Sequence, residues 1–203
     1  MSGATQPAVF VVFEGLDGTG KSTCAQALAQ RIGARYMTTP APELRQLRQK
    51  VLDSFSGSQE AAQLFYLSTV FAASAEVRGL LDQGIPVVMD RYFLSTQVYA
   101  CFRGSRLALD DAASALVHAT LTVCLHAPLA MRRERLRRRG STPSDEETLS
   151  PVADRQLREG YRTRSSLPVA GTWFDYPGLA SPSRVVDAVV RRLAALAERG
   201  DAA

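Results

Sequence analysis

Gly15-Leu16-Asp17-Gly18-Thr19-Gly20-Lys21-Ser22 has the form G-x-x-x-x-G-K-[ST], a complete phosphate-binding loop. What flanks it gives it weight. Val9-Phe10-Val11-Val12-Phe13 is a short β-branched and aromatic run, the signature of a buried parallel strand. Ala25, Leu28, Ala29 and Ile32 then recur at helical spacing, and Gly33 falls where such a helix would stop. Strand, glycine loop and helix bring backbone N–H groups and a positive helix end onto phosphate oxygens. This implies a nucleoside triphosphate site, with Lys21 reaching the β- and γ-phosphates and Ser22 ligating Mg²⁺.

Bulk properties narrow the class. The chain has 203 residues, 46% of them hydrophobic and 22% charged, which suits one globular domain over 1–203. No apolar stretch approaches the roughly 18 residues of a membrane span, so no membrane-spanning segment is expected. Residues 1–7 carry no secretory pattern. Cys24, Cys101 and Cys124 have no metal-ligand spacing and form no disulfide framework, so a cytoplasmic location is expected. The net charge of +4 is smaller than the six arginines packed into 132–139. One concentrated patch fits a polyphosphate better than nucleic acid, and no nucleic-acid or membrane partner is expected. Lys21 is one of only two lysines, a point charge in a chain that otherwise uses arginine.

Further strands are expected at 35–38, 86–89, 121–125 and, weakly, 172–174. Helices are expected at 43–54, 59–83, 95–101, 110–118, 128–139, 152–165 and 184–199, with a mobile polar loop at 140–150. Alternation of this kind predicts a three-layer α/β fold on a parallel sheet, with the site at the carboxyl ends of the strands. Met89-Asp90-Arg91-Tyr92 falls at such an end. There a carboxylate can join a Mg²⁺ shell or orient an acceptor, and a neighbouring guanidinium can clamp a phosphate. Without the upstream loop, the same triplet would read as a helix cap.

The chain resembles the thymidylate kinase family. Residues 13–23 (Phe13-Glu14-Gly15-Leu16-Asp17-Gly18-Thr19-Gly20-Lys21-Ser22-Thr23) are similar to its loop, and Asp90-Arg91-Tyr92-Phe93-Leu94-Ser95-Thr96-Gln97-Val98-Tyr99 to its second motif. The resemblance implies a P-loop fold with five strands in the order 2-3-1-4-5, γ-phosphoryl transfer from ATP to dTMP, and a homodimer. It implies donor contacts along Gly15, Asp17, Gly18, Thr19, Gly20, Lys21, Ser22 and Thr23, and Mg²⁺ near Ser22 and Asp90. Asp17 would meet the acceptor sugar, Arg48 and Arg91 its phosphate, and Phe65 its base, while Tyr99 would disfavour a 2′-hydroxyl. Arg135 would approach the transferred phosphoryl and Arg139 the ATP base, both on a lid over 132–150. These two are four apart and share a helix face; most members of the cluster are expected to face solvent, because one helix cannot aim six side chains at one site. Phe65 equally fits core packing, Arg48 a solvated helix charge, and Tyr99 packing under the loop.

Several positions depart from the family. Thr38-Thr39-Pro40-Ala41-Pro42 lacks the usual Arg and Glu, Thr69 stands where a base-reading arginine is expected, and Ala100 replaces a common Gln. His126, in place of an Asp, reads as structural, and Asp145-Glu146-Glu147 replaces an Asp followed by Arg. The donor half is thus intact and the acceptor half altered. The favoured reading is a kinase of a nucleoside monophosphate, dTMP or a relative. One alternative is a kinase acting on a hydroxyl, with Asp90 as general base. The other is a nucleotide-binding protein without turnover, against which the intact Lys21, Ser22, Asp90 and Arg91 speak.

Overall fold

The computed structural model describes residues 8–177 and 181–200. The opening heptapeptide, read above as lacking a targeting signal, lies outside them. Five strands, β1 (Phe10–Gly15), β2 (Arg35–Thr38), β3 (Val87–Asp90), β4 (Leu121–His126) and β5 (Thr172–Pro177), form one parallel sheet. Their order is β2-β3-β1-β4-β5, as the resemblance implied.

All six residues of β1 are buried, because helices cover both faces of the sheet. Val11 and Phe13 pack with Leu28 and Ala29 of α1 (Lys21–Ile32) and with Val185 and Val189 of α8 (Pro182–Gly200). Phe10 and Val12 pack on the other side against three helices. These are α3 (Gln59–Asp82), α4 (Phe93–Phe102) and α7 (Pro151–Arg164), through Leu67, Val70, Phe93, Val98 and Leu157. The alternation of Val11/Phe13 with Phe10/Val12 therefore assigns a layer to each side chain. The chain leaves β1 towards β2 but leaves β3 across the sheet towards β4. A crevice opens where those connections part, and binding sites of open α/β sheets lie in such crevices.

Three expectations need correction. Residues 110–118 form only a 3₁₀ turn (Asp110–Ala115). Beyond it the Val117 amide donates to Ser74 Oγ of α3 at 2.8 Å, so docking replaces the next helical turn. Within 140–150 lies a short helix, α6 (Pro143–Glu146), formed by a reciprocal cap between Thr142 and Asp145. It follows the arginine-rich α5 (Leu129–Arg139), while α2 (Pro42–Ser54) precedes α3. Finally, α3 has the length and composition of a membrane span, with mean hydropathy 1.3 over 18 residues. Its buried stripe packs on the sheet core, yet only 33% of that window is buried.

Candidate functional site

The phosphate loop depends on two close approaches. Gly15 has φ 129°, and a Cβ there would sit 2.5 Å from the Leu125 carbonyl oxygen of β4. Gly18 has φ 80°, and its Cβ would meet the backbone of Arg132 at 3.0–3.1 Å. Any side chain would push the loop off both neighbours. Lys21 opens α1, is 5% exposed, and donates from Nζ to the Leu16 carbonyl at 2.8 Å. Burial, helped by Arg91, lowers its pKa to about 8, against the opposing pull of Asp17, Asp90 and Glu14. An ammonium so far desolvated is poised for an anionic ligand.

Ser22 donates to Asp90 Oδ2 at 2.5 Å, across from α1 to the tip of β3. The other oxygen, Asp90 Oδ1, is buried with no hydrogen-bond partner in the protein. A hydroxyl and a carboxylate with one orphaned oxygen, beside a phosphate loop, form a donor set suited to Mg²⁺, which prefers hard oxygen ligands.

Arg91 follows with φ 69°, a left-handed backbone in a residue that is not glycine. Such strain costs about 1–3 kcal/mol and persists only where the surroundings over-determine it. Here they do. The Arg91 amide extends the sheet to Phe13 O at 3.0 Å, and Thr39 Oγ1 donates to the Arg91 carbonyl at 2.9 Å. Arg91 Nη1 donates to Ser95 Oγ at 3.2 Å. Beneath lies Glu14, fully buried in β1, which accepts from the Tyr92 and Ser95 amides at 3.1 and 3.2 Å and from the Ser95 hydroxyl. Burial raises its pKa, against the opposing bonds from Ser95 and the charge of Arg91. Glu14 thus fastens the start of α4 to the strand that feeds the phosphate loop. Sequence reading passed it over; an acid inside an apolar strand was the available signal.

Asp17 joins the two halves of the site. Arg91 donates to its Oδ1, and the Tyr99 hydroxyl donates to its Oδ2 at 2.7 Å. Burial would raise its pKa, but Arg91, Lys21 and the Tyr99 bond outweigh burial and hold the carboxyl well below the usual range. Tyr99 in turn has two guanidiniums over its ring, with Arg91 Cζ 5.0 Å and Arg103 Cζ 5.5 Å from the centroid.

These groups line one cavity of about 850 Å³, which also takes in Arg48, Arg135 and Arg139. Arg48 makes no ion pair with a described residue. On α3 the residues that line the cavity are Gln59, Ala62, Gln63 and Tyr66, one helical face. Phe65 does not line it; its ring packs against Phe55 and Tyr66, at 6.3 and 5.4 Å between centroids. Thr69 is also off the cavity, buried with its hydroxyl on the Tyr66 carbonyl at 2.7 Å. Ala100 lines the cavity beside Arg103, which grips Glu147 through Nε at 2.8 Å and through Nη2. Sequence reading missed Tyr66 and Arg103; only the three-dimensional face distinguishes Tyr66 from its neighbour.

Over the donor side, Arg135 Nη1 donates to the Gly18 and Thr19 carbonyls at 3.2 and 3.1 Å. Arg139 pairs with Asp145 at 2.9 Å. Most of the arginine cluster faces solvent as expected, with Arg133, Arg137, Arg138 and Arg139 exposed, but Arg132 is wholly buried. His126, read as structural, sits between Asp175 and Arg158 at 2.5 and 3.1 Å.

A family model described as thymidylate kinase matches residues 13–164. A probable thymidylate kinase from Metallosphaera sedula is 29% identical, over 74% of this chain and 76% of its own length. A thymidylate kinase from Rhodopseudomonas palustris is 31% identical, over 79% and 78%. Among solved structures, the thymidylate kinase of Candida albicans superposes with a TM-score of 0.71 at 20% identity, covering 93% of this chain and 92% of that one.

Proposed function

The chain belongs to the thymidylate kinase family and is a P-loop enzyme of nucleotide-kinase type, and from that premise we propose that it moves the γ-phosphoryl group of Mg²⁺·ATP onto a nucleoside monophosphate, dTMP or a relative. One observation carries this choice of acceptor. Arg48, a guanidinium with no ion partner among the described residues, lines the same cavity as Lys21 and Arg91. A neutral hydroxyl acceptor would leave that charge without a partner, whereas a phosphate would engage it together with Arg91.

In this reading Lys21 and the loop amides hold the donor polyphosphate, and Ser22 and Asp90 would hold Mg²⁺. The ion, when bound, neutralises charge on the β- and γ-oxygens. Arg48 and Arg91 present an acceptor oxygen to the γ-phosphorus. That oxygen forms the new P–O bond as the β–γ bridge breaks, and ADP leaves with the bridging oxygen. Arg135 and Arg139 lie over the donor and keep water out. A phosphate acceptor is already nucleophilic, so Asp90 orients and need not abstract a proton.

The orphaned oxygen of Asp90 favours one other reading, a hydroxyl acceptor with Asp90 as general base. A single assay decides. Purified protein with Mg²⁺·ATP is given a panel of nucleosides and nucleoside monophosphates, and ADP is measured. Turnover confined to monophosphates supports the proposal; turnover of nucleosides alone refutes it.

The uncovered face of α3 suits a second copy of this chain. Leu64 and Phe71 are 51% and 37% exposed there, with Ala72 and Ala75 exposed between the polar positions. A helix of span-like composition left so open calls for an apolar partner. Light scattering is expected to give a dimer that Phe71→Asp converts to a monomer; a monomeric wild type rejects the idea.

A further inference from the structure

Arg132 is the largest fully buried side chain among the described residues, and nothing in the phosphoryl-transfer scheme uses it. Burying a guanidinium is costly unless its donors are met. Each of its nitrogens is met by a different part of the protein. Nε donates to the Asp17 carbonyl of the phosphate loop at 2.6 Å. Nη1 pairs with Asp154 of α7 at 2.6 Å. Nη2 reaches Thr148 Oγ1 and O at 3.2 and 3.4 Å, where the chain leaves the lid.

The attachments continue outward from each contact. Thr148, itself fully buried, donates to the Asp145 carbonyl at 2.8 Å, and the Asp145 carboxylate holds Arg139. Asp154 also binds Arg158, which donates to the Ala127 carbonyl at 2.7 Å at the end of β4. The peptide that Arg132 grips belongs to Asp17, whose side chain meets Arg91 and Tyr99. One guanidinium therefore ties the loop, the lid and α7 to the residue joining the two ends of the cavity.

We propose that Arg132 is a positioning residue, which sets the lid over the phosphate loop and so aligns the arginines of the site with the transferred group; this rests on the kinase reading above. A misplacement of about 1 Å far from the reacting atoms can cost on the order of a hundredfold in rate. A badly seated lid also admits water as a competing acceptor.

The test uses Arg132→Met, which keeps volume and leaves Asp154 paired with Arg158. Two readouts are taken on the full chain. One is hydrogen exchange of residues 140–150 with and without a non-hydrolysable Mg²⁺·ATP analogue. The other is kcat together with the ratio of ADP to phosphorylated acceptor. In wild type the analogue should slow exchange in the lid, and the ratio should be about one. In Arg132→Met the analogue should still bind, but lid exchange should stay fast, kcat should fall at least about tenfold, and the ratio should rise. Wild-type exchange and kcat in the variant overturn the proposal. If no acceptor is turned over, the kinase reading fails, and lid exchange alone decides the role of Arg132. Should Arg132→Met not fold, Thr148→Val removes one acceptor of the same guanidinium and is judged by the same readouts.

Discussion

Replacing Tyr66 or Phe65 by alanine asks which ring of α3 serves the acceptor. The two are adjacent, about 100° apart around the helix, so only one of them can face the cavity. Tyr66 lines it, while Phe65 packs on Phe55. Stacking a base on an aromatic ring is worth about 1–3 kcal/mol by alanine substitution. At about 1.4 kcal/mol per factor of ten, Tyr66→Ala should raise the acceptor KM roughly 5- to 150-fold. The KM for ATP should not move, because in this reading the donor contacts come from the phosphate loop and not from α3. Phe65→Ala instead loses two ring contacts, each worth about 0.5–1.5 kcal/mol beyond buried area. Its melting temperature should therefore fall while its acceptor KM stays within about twofold. Tyr66→Phe keeps the ring and should behave like wild type. Steady-state kinetics by ADP release, paired with thermal melts, measures both quantities. A raised acceptor KM in Phe65→Ala beside an unchanged one in Tyr66→Ala would refute the assignment and restore Phe65 as the stacking ring.

Lys21→Met removes the only ammonium in the loop and should lower kcat at least about a hundredfold with the fold intact by circular dichroism; wild-type turnover would take the loop out of the mechanism. Asp17 is held below the usual carboxylate range, so its stabilisation is complete above the unfolded pKa of about 3.9 and is lost as the pH falls towards the lower folded value. The melting-temperature gap between wild type and Asp17→Asn should accordingly stay constant from about pH 7 to 5 and narrow below about pH 4; a gap that closes by pH 6 contradicts this electrostatic account. Glu147→Gln breaks a part-exposed pair with Arg103, and such pairs are worth about 0–1 kcal/mol. Its acceptor KM should change less than about fivefold, and any change should vanish in high salt.

How far the sequence anticipated the structure varies along the chain for physical reasons. The first strand, the loop and α1 were readable because apolar run, glycines and helical spacing all indicate the same arrangement. Gly33 ends α1 in the left-handed conformation expected of a helix-stopping glycine. The 3₁₀ turn at Asp110–Ala115 was not readable, since its helix is cut short by Ser74, a partner 43 residues away from Val117. Helix α6 escaped notice because four residues have no periodicity, and only the Thr142–Asp145 cap betrays them.

The site divides in the same way. Asp17, Lys21, Ser22, Asp90 and Arg91 were found because short motifs carry them, and one cavity holds all five. Phe65 and Thr69 were named by counting along a helix from a resemblance, and a single residue of offset turns a helix by about 100°. Nothing in the sequence sets Arg132 apart from the solvent-facing arginines around it, because Asp154 and Thr148, its partners, stand 22 and 16 residues further on.

The left-handed backbone at Arg91 limits how this enzyme could acquire a new acceptor. Glycine would relax the turn and discard the guanidinium; a β-branched residue would add strain to it. Variation in acceptor choice is thus channelled away from the strand tip, onto the walls contributed by α3 and α4. Gln59, Tyr66 and Ala100 sit there on ordinary helix, with Arg103 at the end of α4, where side chains can be exchanged without remaking the chain path.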